Sequence, residues 1–155
     1  MMKLLMELLK DSKRSDREIA KIMGVSQPTI SRMRERLTEN GIIQEFTVIP
    51  DFTKMGFQIM AISSFKYNVA KDIEGLTKLM MTRPNVIFSS IAEGMGKNGI
   101  IISFHKSYPD FSNFISNLRA EGNDIIDDLD SMLISLENQI VKPLSLKYLA
   151  ELEET

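Results

Sequence analysis

At 155 residues, with 43% hydrophobic and 26% charged side chains, the chain has ordinary globular composition and room for one domain or two small ones. It contains no cysteine, which excludes disulfides and thiolate chemistry and suits a reducing cytoplasm. The net charge of −2 says little for nucleic acid, but residues 1–50 carry nine Lys/Arg against seven Asp/Glu and the remainder ten against fourteen, so cations gather at the front.

The first ten residues are too charged for a signal peptide. Glu7 interrupts the apolar run, and Lys10, Asp11, Lys13 and Arg14 follow it. No apolar run reaches membrane-spanning length, so neither a membrane partner nor a location outside the cytoplasm is expected. Leu4, Leu5, Leu8 and Leu9 share one stripe of a first helix. Ser15-Asp16-Arg17-Glu18 has the capping-box spacing and opens a second helix that runs through Met23 and stops at Gly24. Ser26 caps a third, with Pro28 tolerated in its first turn and Asn40-Gly41 at its end.

The spacing predicts a helix-turn-helix. Two helices that cross steeply over a short turn need a small residue at the contact, here Ala20, and a turn residue four positions on, here Gly24. Ile30, Met33 and Leu37 anchor the inner side of the third helix, and Ile19, Met23 and Val25 are expected to complete the core. The outer side then presents Gln27, Pro28, Thr29, Ser31, Arg32 and Glu35, with Arg34 and Arg36 on its flanks. Short hydrogen-bonding side chains near a recognition helix's start suit base edges, and cations suit phosphates. Gln27, Thr29, Ser31 and Arg32 are therefore candidate base readers. Arg34, Arg36, Lys13 and Arg14 are candidate phosphate ligands on double-stranded DNA.

Residues 42–49 read as a strand stopped by Pro50, suited to a wing or a linker. After a connector, residues 51–56, six elements follow: a strand over 57–67, a helix over 72–83, strands over 85–93 and 99–105, a helix over 109–121 and a strand over 131–137. A further helix is expected over 144–152. The domain division is 1–50, 51–56 and 57–155. The fold class is α+β: a winged helix-turn-helix followed by a ferredoxin-like β-α-β-β-α-β domain. Ile59, Ala61 and Phe65 lie on one side of the first strand, yet Met60 and Ile62 are apolar on the other, and Ile100, Ile101 and Ile102 are consecutive. A sheet wetted on one face should alternate cleanly, so the second face is expected to meet another copy of the chain.

Both halves together resemble the Lrp/AsnC, or feast/famine, transcriptional regulators. The resemblance spans roughly residues 3–140 and rests on the stretch from Asp11 to Ala20, the turn and helix from Gly24 to Met33, and Glu39-Asn40-Gly41-Ile42-Ile43. It implies homodimers pairing through the C-terminal domain, often assembled into tetramers or octamers. It also implies a small-molecule effector, commonly an amino acid, near the hairpin between the second and third strands. That hairpin supplies Gly94, Gly96, Lys97, Asn98 and Gly99 as candidate effector ligands. Family members tend to place an aspartate three residues after a glycine there; here Gly96 is followed at that distance by Gly99.

Other signals point elsewhere. Gly94 to Gly99 matches G-x-G-x-x-G, but a strand follows where a dinucleotide site needs a helix, and a hairpin turn explains the glycines. Asp124, Asp127, Asp128 and Asp130 lack EF-hand spacing and read as solvated, and His105 alone cannot build a zinc site. No metal, cofactor or catalytic residue is expected. The alternatives are an assembly protein of the same architecture that does not bind DNA, and an enzyme similar to the sirohaem decarboxylases, whose tetrapyrrole cleft would call for more histidines than one.

Overall fold

A computed structural model describes residues 1–68, 73–138 and 140–154. They form two compact units, one comprising 1–49 with 142–155 and the other 50–141. The sequence reading placed the C-terminal segment with the sheet domain; it packs instead within the helical unit, where it lies against the first helix.

The helical unit is built from α1 (Met2–Lys10), α2 (Asp16–Met23) and α3 (Gln27–Glu39). Leu4, Leu8, Ile19, Ala20, Ile30 and Leu37 form its core, with Leu5, Met23, Met33 and Ile43 packed against them. Val25 does not join them: it is 40% exposed, because the αL turn at Gly24 (φ 69°) carries the chain outward before α3 begins. The capping box forms as expected, with the Ser15 N–H donating to Glu18 Oε2 at 2.7 Å and the Glu18 N–H to Ser15 Oγ at 3.3 Å. Ser26 sits at the N-cap of α3, but its hydroxyl pairs with Thr29 Oγ1 at 2.8 Å and makes no bond to a backbone N–H. The last segment is a 3₁₀ helix (Leu146–Glu154) that buries Ala150, not the α-helix its apolar spacing suggests.

Residues 42–49 are a correction. They join no ladder among the described residues, and Phe46, Val48 and Ile49 stay 57%, 74% and 46% exposed. A strand needs a neighbour for its N–H and C=O groups, and no described segment supplies one.

The second unit contains β1 (Ile59–Tyr67), α4 (Ile73–Met81), β2 (Val86–Gly94), β3 (Lys97–His105), α5 (Tyr108–Glu121) and β4 (Ile126–Ser135). The expected start of α4 at Asp72 lies outside the described residues. The four strands run in the order β2-β3-β1-β4, and each adjacent pair is antiparallel, as a ferredoxin-like sheet requires. Ala61, Phe65 and Tyr67 from β1 and Ile101 from β3 meet Leu76, Leu79 and Met80 of α4 and Phe111, Phe114, Ile115 and Leu118 of α5.

β4 begins five residues earlier than its alternation suggests. A bulge interrupts its register with β1 between Ser64 and Lys66, where Asp128 adopts φ 49°. The connector also has structure: Asp51 Oδ1 accepts from the Thr53 N–H at 3.1 Å, and Phe52 stacks on Phe104 at 4.2 Å.

The face of the sheet away from the helices carries an apolar row. Register aligns Met132, Ile62, Ile102 and Phe88 across all four strands. Met132 is 67% and Phe88 51% exposed.

Candidate nucleic-acid interface

The third helix is two-sided. Ile30 and Leu37 are sealed at 0% and 1% exposure, whereas Gln27, Pro28, Thr29, Arg32, Glu35 and Arg36 are exposed. The outer side is thus held away from the core by the apolar anchors beneath it. Gln27 and Thr29 stand in the first turn of α3, where short polar side chains can approach a partner without a long reach. Lys13 is also exposed, in the turn before α2.

Three expected contact residues are engaged within the protein. Ser31 Oγ donates to Asp16 Oδ2 at 2.6 Å. Arg34 donates to the other oxygen of the same carboxylate through Nε at 3.0 Å and Nη2 at 2.6 Å, and its guanidinium lies 6.0 Å from the Phe46 ring centroid. Arg14 Nη1 reaches Glu7 Oε2 at 2.5 Å, compensating a carboxylate that α1 has largely buried. The Ser31 hydroxyl holds the Asp16 carboxyl below the usual carboxylate range, and the Arg34 hydrogen bonds and charge add to this against the cost of burial.

Asp16 is the residue that sequence reasoning missed. It stands fifteen positions from Ser31 and eighteen from Arg34, so no local spacing connects them. The available signal was an acidic residue at the start of a helix that a helix-turn-helix must cross with its recognition helix.

The hairpin considered for an effector is a two-residue turn. Gly94 pairs with Lys97, and Met95 and Gly96 turn the chain at φ 54° and 73°. Its residues have duties inside the unit. Lys97 Nζ is 2.7 Å from Asp128 Oδ1 and 3.0 Å from Asp130 Oδ2. The Asn98 amide donates to the Tyr67 carbonyl at 2.9 Å, and a Cβ on Gly99 would fall 2.3 Å from the Phe65 ring.

Comparison with known proteins agrees with this layout. A family described as winged helix-turn-helix DNA-binding matches residues 2–44. The HTH-type transcriptional regulator PH0061 of Pyrococcus horikoshii is 32% identical over 117 residues, covering 74% of this chain and 77% of its own. Its crystal structure superposes with a TM-score of 0.79 at 26% identity over 93% of both chains. The regulatory protein AsnC of Haemophilus influenzae is 29% identical over 142 residues, covering 90% of this chain and 91% of its own. The chain belongs to the Lrp/AsnC family of transcriptional regulators. The same fold occurs in the feast or famine regulatory protein Rv3291c of M. tuberculosis, solved with L-methionine: TM-score 0.78 at 16% identity, over 94% of this chain and 95% of that one. As an Lrp/AsnC regulator the protein binds DNA through its helix-turn-helix, and α3 is the recognition helix of that motif.

Proposed function

We propose that this Lrp/AsnC regulator lays the outer side of α3 in the major groove, with Gln27, Thr29, Ser31 and Arg32 at base edges and Arg36 and Lys13 at phosphates. The observation that supports it is the two-sidedness of α3, whose inner side Ile30 and Leu37 commit to the core. Arg14 and Arg34 act as supports in this reading, because Glu7 and Asp16 already hold them. Each phosphate contact releases condensed counterions, so the affinity should fall steeply with salt. Lys13→Ala and Arg36→Ala should each flatten that slope by about one contact, and Arg14→Ala should not. Titration of a selected operator across salt concentrations checks this, and unchanged slopes for both the Lys13 and Arg36 variants would remove those two side chains from the backbone contacts.

The apolar row on the open sheet face supports assembly as a homodimer. Two recognition helices would then meet half-sites about one helical turn, roughly 34 Å, apart or a multiple of it. An amino-acid effector is the natural ligand class, given the L-methionine complex of Rv3291c. A carboxylate arriving at the hairpin would compete with Asp128 and Asp130 for Lys97. Melting the protein with each of the common amino acids tests this; a ligand that raises the midpoint and alters operator affinity supports it, and a flat panel rejects it.

A further inference from the structure

We infer that Asp16, through its bond to Ser31, determines which bases the recognition helix accepts: by accepting the one hydrogen bond that the Ser31 hydroxyl can donate, it leaves that oxygen able only to accept. This rests on the reading that α3 enters the major groove.

A serine hydroxyl has one proton and two lone pairs, and a free one rotates to suit either a donor or an acceptor. Ser31 is not free. Its oxygen lies 2.6 Å from Asp16 Oδ2, within the range of a charge-assisted O–H···O bond. The carboxylate cannot turn away, because its other oxygen accepts from both Arg34 Nε and Arg34 Nη2. Arg34 is steadied in turn by the Phe46 ring and is itself only 24% exposed. Ionised Asp16 has no proton to give, so the polarity of this chain of bonds is fixed from end to end. In the major groove adenine N6 and cytosine N4 donate, whereas guanine O6 and thymine O4 accept. Ser31 therefore selects adenine or cytosine and disfavours guanine or thymine.

Asp16→Asn would relax this. Arg34 only donates, so it would hold the amide oxygen and turn the Asn nitrogen toward Ser31. The serine would then accept from inside with one lone pair and keep both its proton and its second lone pair for the groove. Guanine and thymine would thus be admitted alongside adenine and cytosine.

The test is selection from random duplex DNA by the full-length wild type, Ser31→Ala, Asp16→Asn and the double variant, with circular dichroism to verify folding. Ser31→Ala should erase preference at one position of each half-site, lowering affinity for the selected base about three- to tenfold, as loss of one hydrogen bond implies. The wild type should prefer adenine or cytosine there, Asp16→Asn should accept guanine or thymine as well, and the double variant should show no preference. A wild-type preference for guanine or thymine, no position sensitive to Ser31→Ala, or a folded Asp16→Asn with unaltered preference overturns the inference. The first two need no change at Asp16, so they decide the matter even if Asp16→Asn fails to fold. Absence of any enriched duplex with the wild type would instead sink the DNA-reading proposal together with it.

Discussion

His105 is enclosed on every side, and its neighbours set a pH dependence. Its ring lies 5.3 Å from Phe111 and 5.0 Å from Phe114, with Ser103 Oγ 2.8 Å from Nε2. Asn85 Nδ2 approaches Nδ1 at 3.5 Å, and the nearest charge, Asp110 Oδ2, is 3.9 Å from it. Burial lowers the imidazole pKa below its ordinary 6.5, and Asp110 only partly opposes this. Below that ordinary value the unfolded chain binds a proton that the folded chain resists, so stability falls as pH drops from about 6.5 toward the lowered pKa. Thermal melts between about pH 7.5 and 5.5 should show this decline, and His105→Gln should show a shallower one. In the helical unit, Ser15→Ala removes one half of the capping box and should cost about 1 kcal/mol by urea unfolding.

At the scale of elements, what could be read from sequence was what depends on near neighbours. The capping box, the αL glycine and the 3.6-residue spacing of Ile30, Met33 and Leu37 are local signals, and α2 and α3 form where those signals place them. The inward residues of α5, Phe111, Phe114, Ile115 and Leu118, followed from the same periodicity. Features that need a distant partner were hidden. Residues 42–49 have strand composition, but no described segment pairs with them. The start of β4 was masked because its bulge breaks the alternation. Of the candidate DNA contacts, the two-sidedness of α3 was legible, whereas the engagement of Ser31, Arg34 and Arg14 by carboxylates was not. The β1–β3 ladder has its own distant dependence: Gly99 leaves room for the Phe65 ring. Gly99→Ala should force that ring aside and destabilise the sheet by about 1–3 kcal/mol, with urea unfolding as the measure. A milder variant, Phe65→Leu, should partly relieve the crowding when combined with it.

For the whole molecule, the row Met132-Ile62-Ile102-Phe88 is the face proposed above to pair with another copy. Met132→Glu places a charge on that face at a residue already 67% exposed, so the fold should survive while self-association weakens. Sedimentation of both proteins over a range of concentrations checks this; an unchanged mass for the variant would move the interface elsewhere. The chain also passes twice between its two units, near residue 50 and again near residue 141. The helical unit is therefore assembled from segments that lie on either side of the sheet unit in the chain. Synthesis delivers α1, α2 and α3 first, yet the segment that buries Ala150 against the helical unit emerges only after every strand of the sheet has been made. A nascent regulator thus completes its DNA-binding half only after its sheet half has been synthesised.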